Sequence, residues 1–184
     1  MPYEPLYLNT DKCVIRPWKK GDEPSLVRHA DNRNVWLGVR DTFPNPYTVS
    51  DANAWVNVAI RGLRDEVWAI DVAGFAVGGI SLHPDEGVHR YNAEIGYWLG
   101  EEYWGQGIAT EAVRAMTRHG FEAWGLVRVY AAVFDYNEAS KRVLEKCGYA
   151  LEGTLRLSAF KAGHFVDQHM YAAVQAAPAQ RTGP

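Results

Sequence analysis

Residues 93–110 read AEIGYWLGEEYWGQGIAT, an apolar run followed by a segment with three glycines. The run 93–99 is apolar apart from Glu94, which is typical of a strand buried on both faces of a sheet. Residues 108–124 then carry apolar side chains at helical spacing, and Gly125 ends that pattern. A second apolar run, VRVYAAVF, follows at 127–134. A strand, a helix and another strand in this order predict two parallel central strands.

The sequence on either side predicts further elements. Strands are expected at 13–17, 67–72, 75–82, 151–159 and 166–174, and helices at 21–32, at 50–61 with Ser50 or Asp51 as its cap, and at 137–147. We therefore predict an α/β fold (α+β by some schemes) in the order βααβββαβαββ. Its sheet of about seven strands is mixed and mostly antiparallel, with a central parallel pair and flanking helices. One domain is expected at 6–174, followed by a disordered tail at 175–184.

The composition excludes several classes of protein. With 19 Lys and Arg against 22 Asp and Glu, the net charge of -3 offers no surplus of cations for nucleic acid. No uncharged run approaches the ~20 residues of a membrane helix, and the N-terminal residues do not resemble a signal peptide. Cys13 and Cys147 lie far apart, so we expect neither a disulfide nor a metal site, and a cytoplasmic location.

A glycine loop at 103–110, YWGQGIAT, follows the first central strand and opens a helix. Gly105 and Gly107 permit a tight turn, and the first turn of the helix leaves backbone N–H groups free for an anion such as pyrophosphate. Thr110 disfavours a dinucleotide fingerprint, and no Gly-Lys-Ser/Thr sequence supports a P-loop. A strand-to-helix turn in which the glycines serve packing alone is the alternative.

A second polar signal follows the other central strand. Asn137 and Ser140 begin a helix in the sequence NEAS. They can be explained as an N-cap and a polar residue of the first turn. They can also face a ligand, because α/β proteins bind ligands at the carboxyl ends of adjacent parallel strands.

Together these segments resemble the acetyl-coenzyme A core of the GNAT superfamily of N-acetyltransferases, and in particular its RimJ and RimL branch of ribosomal-protein N-terminal acetyltransferases. The resemblance is carried in order by CVIRPWKKGD, FPNPYT, AEIGYWL, YWGQGIATEA, NEASKRVLEKCGY and GTLRLSAFKAGHFVDQHMYAAV. It implies transfer of an acetyl group from acetyl-CoA to a primary amine, above all the N-terminal amine of a protein, and a homodimer. The alternatives are acetylation of a small amine (an aminoglycoside, a polyamine or an amino-acid-like compound) and a non-catalytic acyl-CoA-binding module.

The resemblance also implies which residues bind coenzyme A. The pyrophosphate pattern falls on residues 104–109, with Trp104 where most of the superfamily has Arg or Gln. The pyrophosphate ligands are then Gln106, Gly107, Ile108, Ala109 and Thr110. The strand at Tyr97, Trp98 and Leu99 serves the pantetheine arm, and Asn137 contacts coenzyme A between the two parallel strands.

Acetyl transfer to an amine needs a base, because the attacking amine must be neutral. Glu94 matches the glutamate that several superfamily members use, and we expect it to lie among apolar neighbours; an edge-facing or salt-bridged glutamate is the alternative. Many members place a tyrosine acid where this chain has Leu144. Ser140, one helical turn earlier, is therefore expected to contact the sulfur. The acceptor pocket is expected in the loops 36–47 and 160–166, with candidate contacts Trp36, Phe43, Tyr47 and Phe160.

Overall fold

The computed structural model describes residues 5–62 and 66–176, within which eight strands form one sheet flanked by five α-helices. The strands are β1 (Leu8–Asn9), β2 (Val14–Arg16), β3 (Val67–Val72), β4 (Phe75–Pro84), β5 (Asn92–Leu99), β6 (Arg128–Phe134), β7 (Ala150–Lys161) and β8 (His164–Val174). The helices are α1 (Glu23–Ala30), α2 (Arg33–Leu37), α3 (Val49–Ile60), α4 (Ile108–Ala123) and α5 (Glu138–Lys146). Residues 177–184 of the expected tail lie outside the described residues.

The sheet has the order β1-β2-β3-β4-β5-β6-β8-β7, and β5 and β6 run parallel while every other neighbouring pair is antiparallel. The predicted α/β class and the central parallel pair are thus confirmed. The sheet has one strand more than the seven expected. The extra strand is β1, and its two residues are too few to show a periodic pattern.

The parallel pair separates soon after it begins. Only Asn92–Glu94 of β5 pair with residues 128–130 of β6. Beyond Glu94, β5 continues along β4, and β6 continues along β8 to Phe134. The two strands therefore open into a wedge at their carboxyl ends, where open α/β sheets bind their ligands.

Alternate side chains of the sheet pack into two cores, one against each layer of helices. In β3, Trp68 and Ile70 belong to the core that includes Val113 and Met116 of α4. Val67 and Ala69 belong to the other core, which contains residues of α1 and α3. This alternation is the period of two that a strand imposes. Helices therefore cover both faces of the sheet and support the wedge from both sides.

The starts of α2 and α3 are set by side-chain caps that were not expected from the sequence. The cap of α3 is Thr48 rather than Ser50 or Asp51, because Thr48 and Asp51 exchange hydrogen bonds in a capping box. A short helix, α2, includes the first residues of the stretch expected to be a loop at 36–47. The Asn32 side chain accepts hydrogen bonds from the backbone N–H groups of Asn34 and Val35 and so begins this helix.

Candidate active site

A cleft of about 620 Å³ lies at the carboxyl end of β5, beside the start of α5. Its walls come from the end of β5, the glycine loop and the first turn of α4, with α2 and α5 closing the sides. Eight of the nine residues predicted to bind coenzyme A line it: Tyr97, Trp98, Leu99, Gly107, Ile108, Ala109, Thr110 and Asn137. The ninth, Gln106, is exposed outside the lining, and its side-chain amide donates to the carbonyl of Glu102 at 2.9 Å.

The start of α4 has the backbone geometry of an anion site. Gly107 adopts a left-handed conformation, φ 80°, directly before the helix. The helix follows with Ile108 as its first residue, so the N–H groups of the first turn have no partner within the helix. Their partial positive charge faces the cleft lined by Ile108, Ala109 and Thr110.

A lysine that sequence reasoning missed lies beside this loop. Lys12, in the turn between β1 and β2, donates from Nζ to the carbonyl of Gln106 at 2.6 Å. A side chain at Gly107 would meet the same Nζ at 2.9 Å. Trp104, which stands at the usual Arg or Gln position, instead donates from its indole to the carbonyl of Leu99 at 2.7 Å. Lys12 thus brings to the loop the cation that residue 104 does not supply.

Two more cations line the cleft from α5. Arg142 and Lys146 are four residues apart, so they lie on one face of the helix. Both are exposed. With Lys12 and the first turn of α4, they give this end of the cleft a positive character that suits a multiply charged anion.

A second, smaller cleft of about 170 Å³ adjoins the first. Both clefts are lined by Gly38, Val39, Tyr97, Asn137 and Ser140. The second cleft adds polar and charged side chains from the sheet and from the loop after α2, namely Arg40, Ser81, His83, Glu94 and Gln168. The larger cleft also contains a carboxylate, Glu138, which pairs with Lys141, while the carboxylate of the smaller cleft is Glu94. The two binding spaces meet at the five residues they share.

Two hydroxyl groups mark that meeting point. The phenol oxygen of Tyr97 lies 2.7 Å from Ser140 Oγ and 3.2 Å from the carbonyl of Ser140. Burial raises the pKa of Tyr97 well above the ordinary value, and the hydrogen bond with Ser140 opposes that shift only in part. Tyr97 is therefore a neutral hydroxyl at physiological pH. It can donate a hydrogen bond, but it cannot act as the base.

Asn137 fits both of its expected explanations. Its side-chain oxygen accepts the backbone N–H of Ser140 at 3.1 Å, which makes Asn137 the cap of α5. It also lines both clefts. Its amide nitrogen lies 3.0 Å from where a side chain at Gly38 would begin, so the glycine allows α2 to approach α5 closely. The cap thus fixes the direction of Ser140 toward the meeting point.

Glu94 lines the second cleft but is not surrounded by apolar groups alone. Its Oε1 accepts a hydrogen bond from Arg40, and the two form an ion pair. The side chain of Glu94 is 22% exposed and that of Arg40 is 66% exposed. The salt-bridged alternative describes its environment, and the expectation of apolar neighbours is wrong. The reason is that Arg40 arrives from a loop 54 residues away, which no local pattern reveals.

The four aromatic residues expected at the acceptor pocket line neither cleft. Tyr47 is 5% exposed and belongs to the core between α1 and α3, and Phe43 packs on it with ring centroids 4.9 Å apart. Trp36 carries the ammonium of Lys161 over its ring at 3.6 Å. Phe160 is exposed and contacts Phe165. The loop after α2 reaches the clefts instead through its smaller residues and Arg40.

Two features are absent from residues 5–62 and 66–176. No cluster of three or more His, Cys, Asp or Glu in this part of the chain could hold a metal ion. No helix within it combines the length and the apolar character needed to cross a membrane.

Comparison with known sequences identifies several relatives. The sequence profile of the Acetyltransferase (GNAT) domain matches residues 12–150. An N-acetyltransferase of Bacillus subtilis (strain 168), YoaA, is 40% identical over 174 residues, covering 91% of this chain and 96% of the relative. The ribosomal-protein-serine acetyltransferase of Escherichia coli K12 is 34% identical, covering 53% and 54% of the two chains. The spermidine N(1)-acetyltransferase of the same strain is 26% identical, covering 90% and 91%.

Solved structures give the same fold. RimJ of Mycobacterium smegmatis, in complex with CoA-disulfide, superposes with a TM-score of 0.76 at 26% identity, covering 93% of this chain and 86% of that one. An acetyltransferase of the GNAT family from Bacillus anthracis superposes with a TM-score of 0.81 at 23% identity, covering 92% and 98%.

Proposed function

The chain belongs to the GNAT acetyltransferase family, and from that premise we propose that it transfers the acetyl group of acetyl-CoA to the amine at the N-terminus of a protein. The observation that carries the proposal is the meeting, at the Tyr97–Ser140 pair, of the larger cleft, which Arg142 and Lys146 line, with the smaller cleft, which contains Glu94. A thioester at this point can be reached by an amine from the opposite side. We propose a cytoplasmic location, because Cys13 and Cys147 are both free thiols.

The larger cleft suits coenzyme A. The pyrophosphate would be held by the backbone N–H groups after Gly107, with Lys12 beside the loop, since a helix start with a left-handed glycine binds phosphate without a side chain. Arg142 and Lys146 would face the remaining phosphate charge. The pantetheine arm would follow the edge of β5 that β6 leaves free beyond Glu94. The relative RimJ, which is solved with a CoA-disulfide, supports this assignment.

The reaction is a direct attack by the amine. The amine nitrogen forms a bond to the thioester carbonyl carbon, and the bond between that carbon and sulfur breaks. Glu94 takes the proton that the amine releases, directly or through a water. Ser140 Oγ donates a hydrogen bond to the departing thiolate sulfur. The Tyr97 hydroxyl, 2.7 Å from Ser140 Oγ, orients that donor.

The charges of the smaller cleft favour an N-terminal amine over a polyamine. A polyamine carries several ammonium groups and needs several free carboxylates. The residues lining this cleft include one carboxylate, Glu94, and Arg40 is paired with it. Arg40 would repel a second ammonium group. A single terminal amine fits this charge pattern. The sequence similarity to the ribosomal-protein-serine acetyltransferase also supports an N-terminal amine as the acceptor.

A thiol-release assay tests the proposal. Acetyl-CoA is supplied with peptides that have free N-termini, with the same peptides blocked at the N-terminus, with spermidine and with an aminoglycoside. We expect thiol release with the free peptides alone, and mass spectrometry should locate one acetyl group on the terminal amine. Turnover of spermidine or the aminoglycoside without turnover of peptides would contradict the proposed acceptor. Tight acetyl-CoA binding without turnover of any amine would favour a non-catalytic module.

A further inference from the structure

The ion pair between Arg40 and Glu94 lies within the cleft proposed for the acceptor. An acceptor amine must approach the same carboxylate, and it arrives in solution as an ammonium ion. The guanidinium of Arg40 and this ammonium compete for Glu94, since both are cations. Binding of the ammonium at Oε1 would therefore displace Arg40, whose side chain is 66% exposed and can take another partner.

Arg40 is held near this position by its neighbours in the loop. The next residue, Asp41, accepts a hydrogen bond from Lys161 Nζ at 2.5 Å. The side chain of Lys161 is only 1% exposed, and its ammonium lies 3.6 Å from the centre of the Trp36 ring. The loop is thus fastened to β7 and to α2 on one side of Arg40. A guanidinium anchored in this way can rotate its head group between partners without the loop leaving the cleft.

We propose that Arg40 recognises a carboxylate on the acceptor, so that the preferred substrate is a peptide with an acidic side chain next to its N-terminal residue. The inference rests on the proposed function. Before binding, Arg40 pairs with Glu94, and the acceptor carries one ammonium and one carboxylate. After binding, the acceptor carboxylate pairs with Arg40 and the ammonium with Glu94. No charge is left unpaired in this exchange.

The chemistry of the groups suits this exchange. The planar guanidinium of Arg40 can bind a carboxylate through two parallel hydrogen bonds, which a single contact to Glu94 Oε1 does not use fully. An acidic side chain on the second residue lies one residue length, ~3.5 Å of backbone, from the terminal amine. A lysine at that position would face Arg40 with a like charge. Peptide discrimination would therefore arise from Arg40 itself, and Glu94 would be released from its ion pair most readily when the acceptor carries a carboxylate.

Peptides that differ only at the second residue test the inference. Their kcat/KM is measured by thiol release for Glu, Gln and Lys at that position, with the wild type and with Arg40→Gln and Arg40→Glu. We expect the wild type to favour the Glu peptide over the Lys peptide by about twofold to tenfold, because attraction of the Glu peptide and repulsion of the Lys peptide both contribute at an exposed arginine. Arg40→Gln should bring the peptides to within about twofold of each other, and Arg40→Glu should reverse the order.

Arg118→Glu is the matched control, because Arg118 is exposed on α4 and lines neither cleft. It makes the same change of charge and should keep the wild-type order. Unchanged acetyl-CoA affinity in calorimetry shows that the Arg40 variants are folded. Equal kcat/KM values of the wild type for the Glu, Gln and Lys peptides would overturn this inference but would not contradict the proposed function. Loss of the preference in Arg118→Glu would also overturn it, and absence of turnover with every peptide would overturn both.

Discussion

The phenol oxygen of Tyr97 on β5 lies 2.7 Å from Ser140 Oγ on α5, at the point shared by the two clefts. The two residues are 43 positions apart, and the parallel pairing of β5 with β6 brings their elements together. The chain has no tyrosine at position 144, but this contact places a phenol beside the serine by another route. Because the Tyr97 hydroxyl holds Ser140 Oγ, the serine is a better-oriented hydrogen-bond donor to the negative charge that develops in the reaction than a freely rotating hydroxyl would be.

Removal of either hydroxyl should slow the chemical step. We expect Ser140→Ala and Tyr97→Phe each to lower kcat by about tenfold to a hundredfold, with the KM for acetyl-CoA changed less than about threefold. The double variant should be little worse than Ser140→Ala alone, because the two groups act as a unit. Steady-state kinetics with a saturating peptide measures these effects.

Tyr149→Phe is the control for this experiment. The phenol of Tyr149 lies 2.6 Å from Thr117 Oγ1, so it also loses a buried contact with a hydroxyl, but it lines neither cleft. Its kcat should stay within about twofold of the wild type. Equal losses of kcat in Tyr97→Phe and Tyr149→Phe would mean that Tyr97 has a structural role only.

Replacement of Glu94 should lower the rate of reaction with the acceptor amine and leave the binding of acetyl-CoA unchanged. We expect Glu94→Gln to lower kcat/KM for the acceptor by about a hundredfold, because the amine then loses its proton acceptor. Acetyl-CoA affinity, measured by calorimetry, should not change. Glu86→Gln, at an exposed glutamate outside both clefts, is the matched control. If kcat/KM of Glu94→Gln equals that of the wild type at every pH, the base is another group.

Lys12 should contribute to donor binding through charge. Its Nζ is anchored to the Gln106 carbonyl next to Gly107, so it adds positive potential where the pyrophosphate is proposed to bind. Lys12→Ala should raise the KM for acetyl-CoA by about threefold to tenfold at low salt and leave kcat unchanged. The exposed Lys20 provides the control variant Lys20→Ala. A fall in kcat at saturating acetyl-CoA would instead indicate that Lys12 positions the loop for catalysis.

The central part of the fold could be predicted because its signals are local. The apolar runs of β5 and β6, the helical spacing of α4 and the glycines before it lie in consecutive residues. The same is true of Asn137 as the cap of α5. In each case, backbone sterics or the period of an element constrains the residue type directly.

Contacts made across the fold could not be predicted in this way. Lys12 reaches a carbonyl 94 residues away, and Arg40 reaches a carboxylate 54 residues away. Aromatic residues were also ambiguous, because a ring suits a core as well as a pocket. Tyr47, a candidate for the acceptor pocket, instead belongs to the core beneath α3. Charged residues on loops carry site information only once the topology is known.

Buried tyrosines should set the stability of the protein at high pH. Burial raises the pKa of Tyr47 to about 12, with a smaller contribution from the charge of Asp51. In the unfolded chain this phenol titrates near pH 10. Between these values the folded state binds more protons than the unfolded state, so the free energy of unfolding must fall as pH rises from about 10 to about 12. Below pH 10 the contribution of Tyr47 is fully present.

Urea unfolding measured from pH 8 to pH 11.5 should therefore show a midpoint that declines as pH rises. The decline begins with Cys13 and Cys147, because burial also raises the pKa of these thiols, and it steepens above about pH 10, where the phenols titrate in the unfolded chain. Tyr47→Phe removes the ionisable group but keeps the ring, so its decline should be shallower. Tyr7→Phe, at an exposed phenol, is the control and should follow the wild type. Equal slopes for Tyr47→Phe and the wild type would show that other buried phenols, such as Tyr149, account for the alkaline loss of stability.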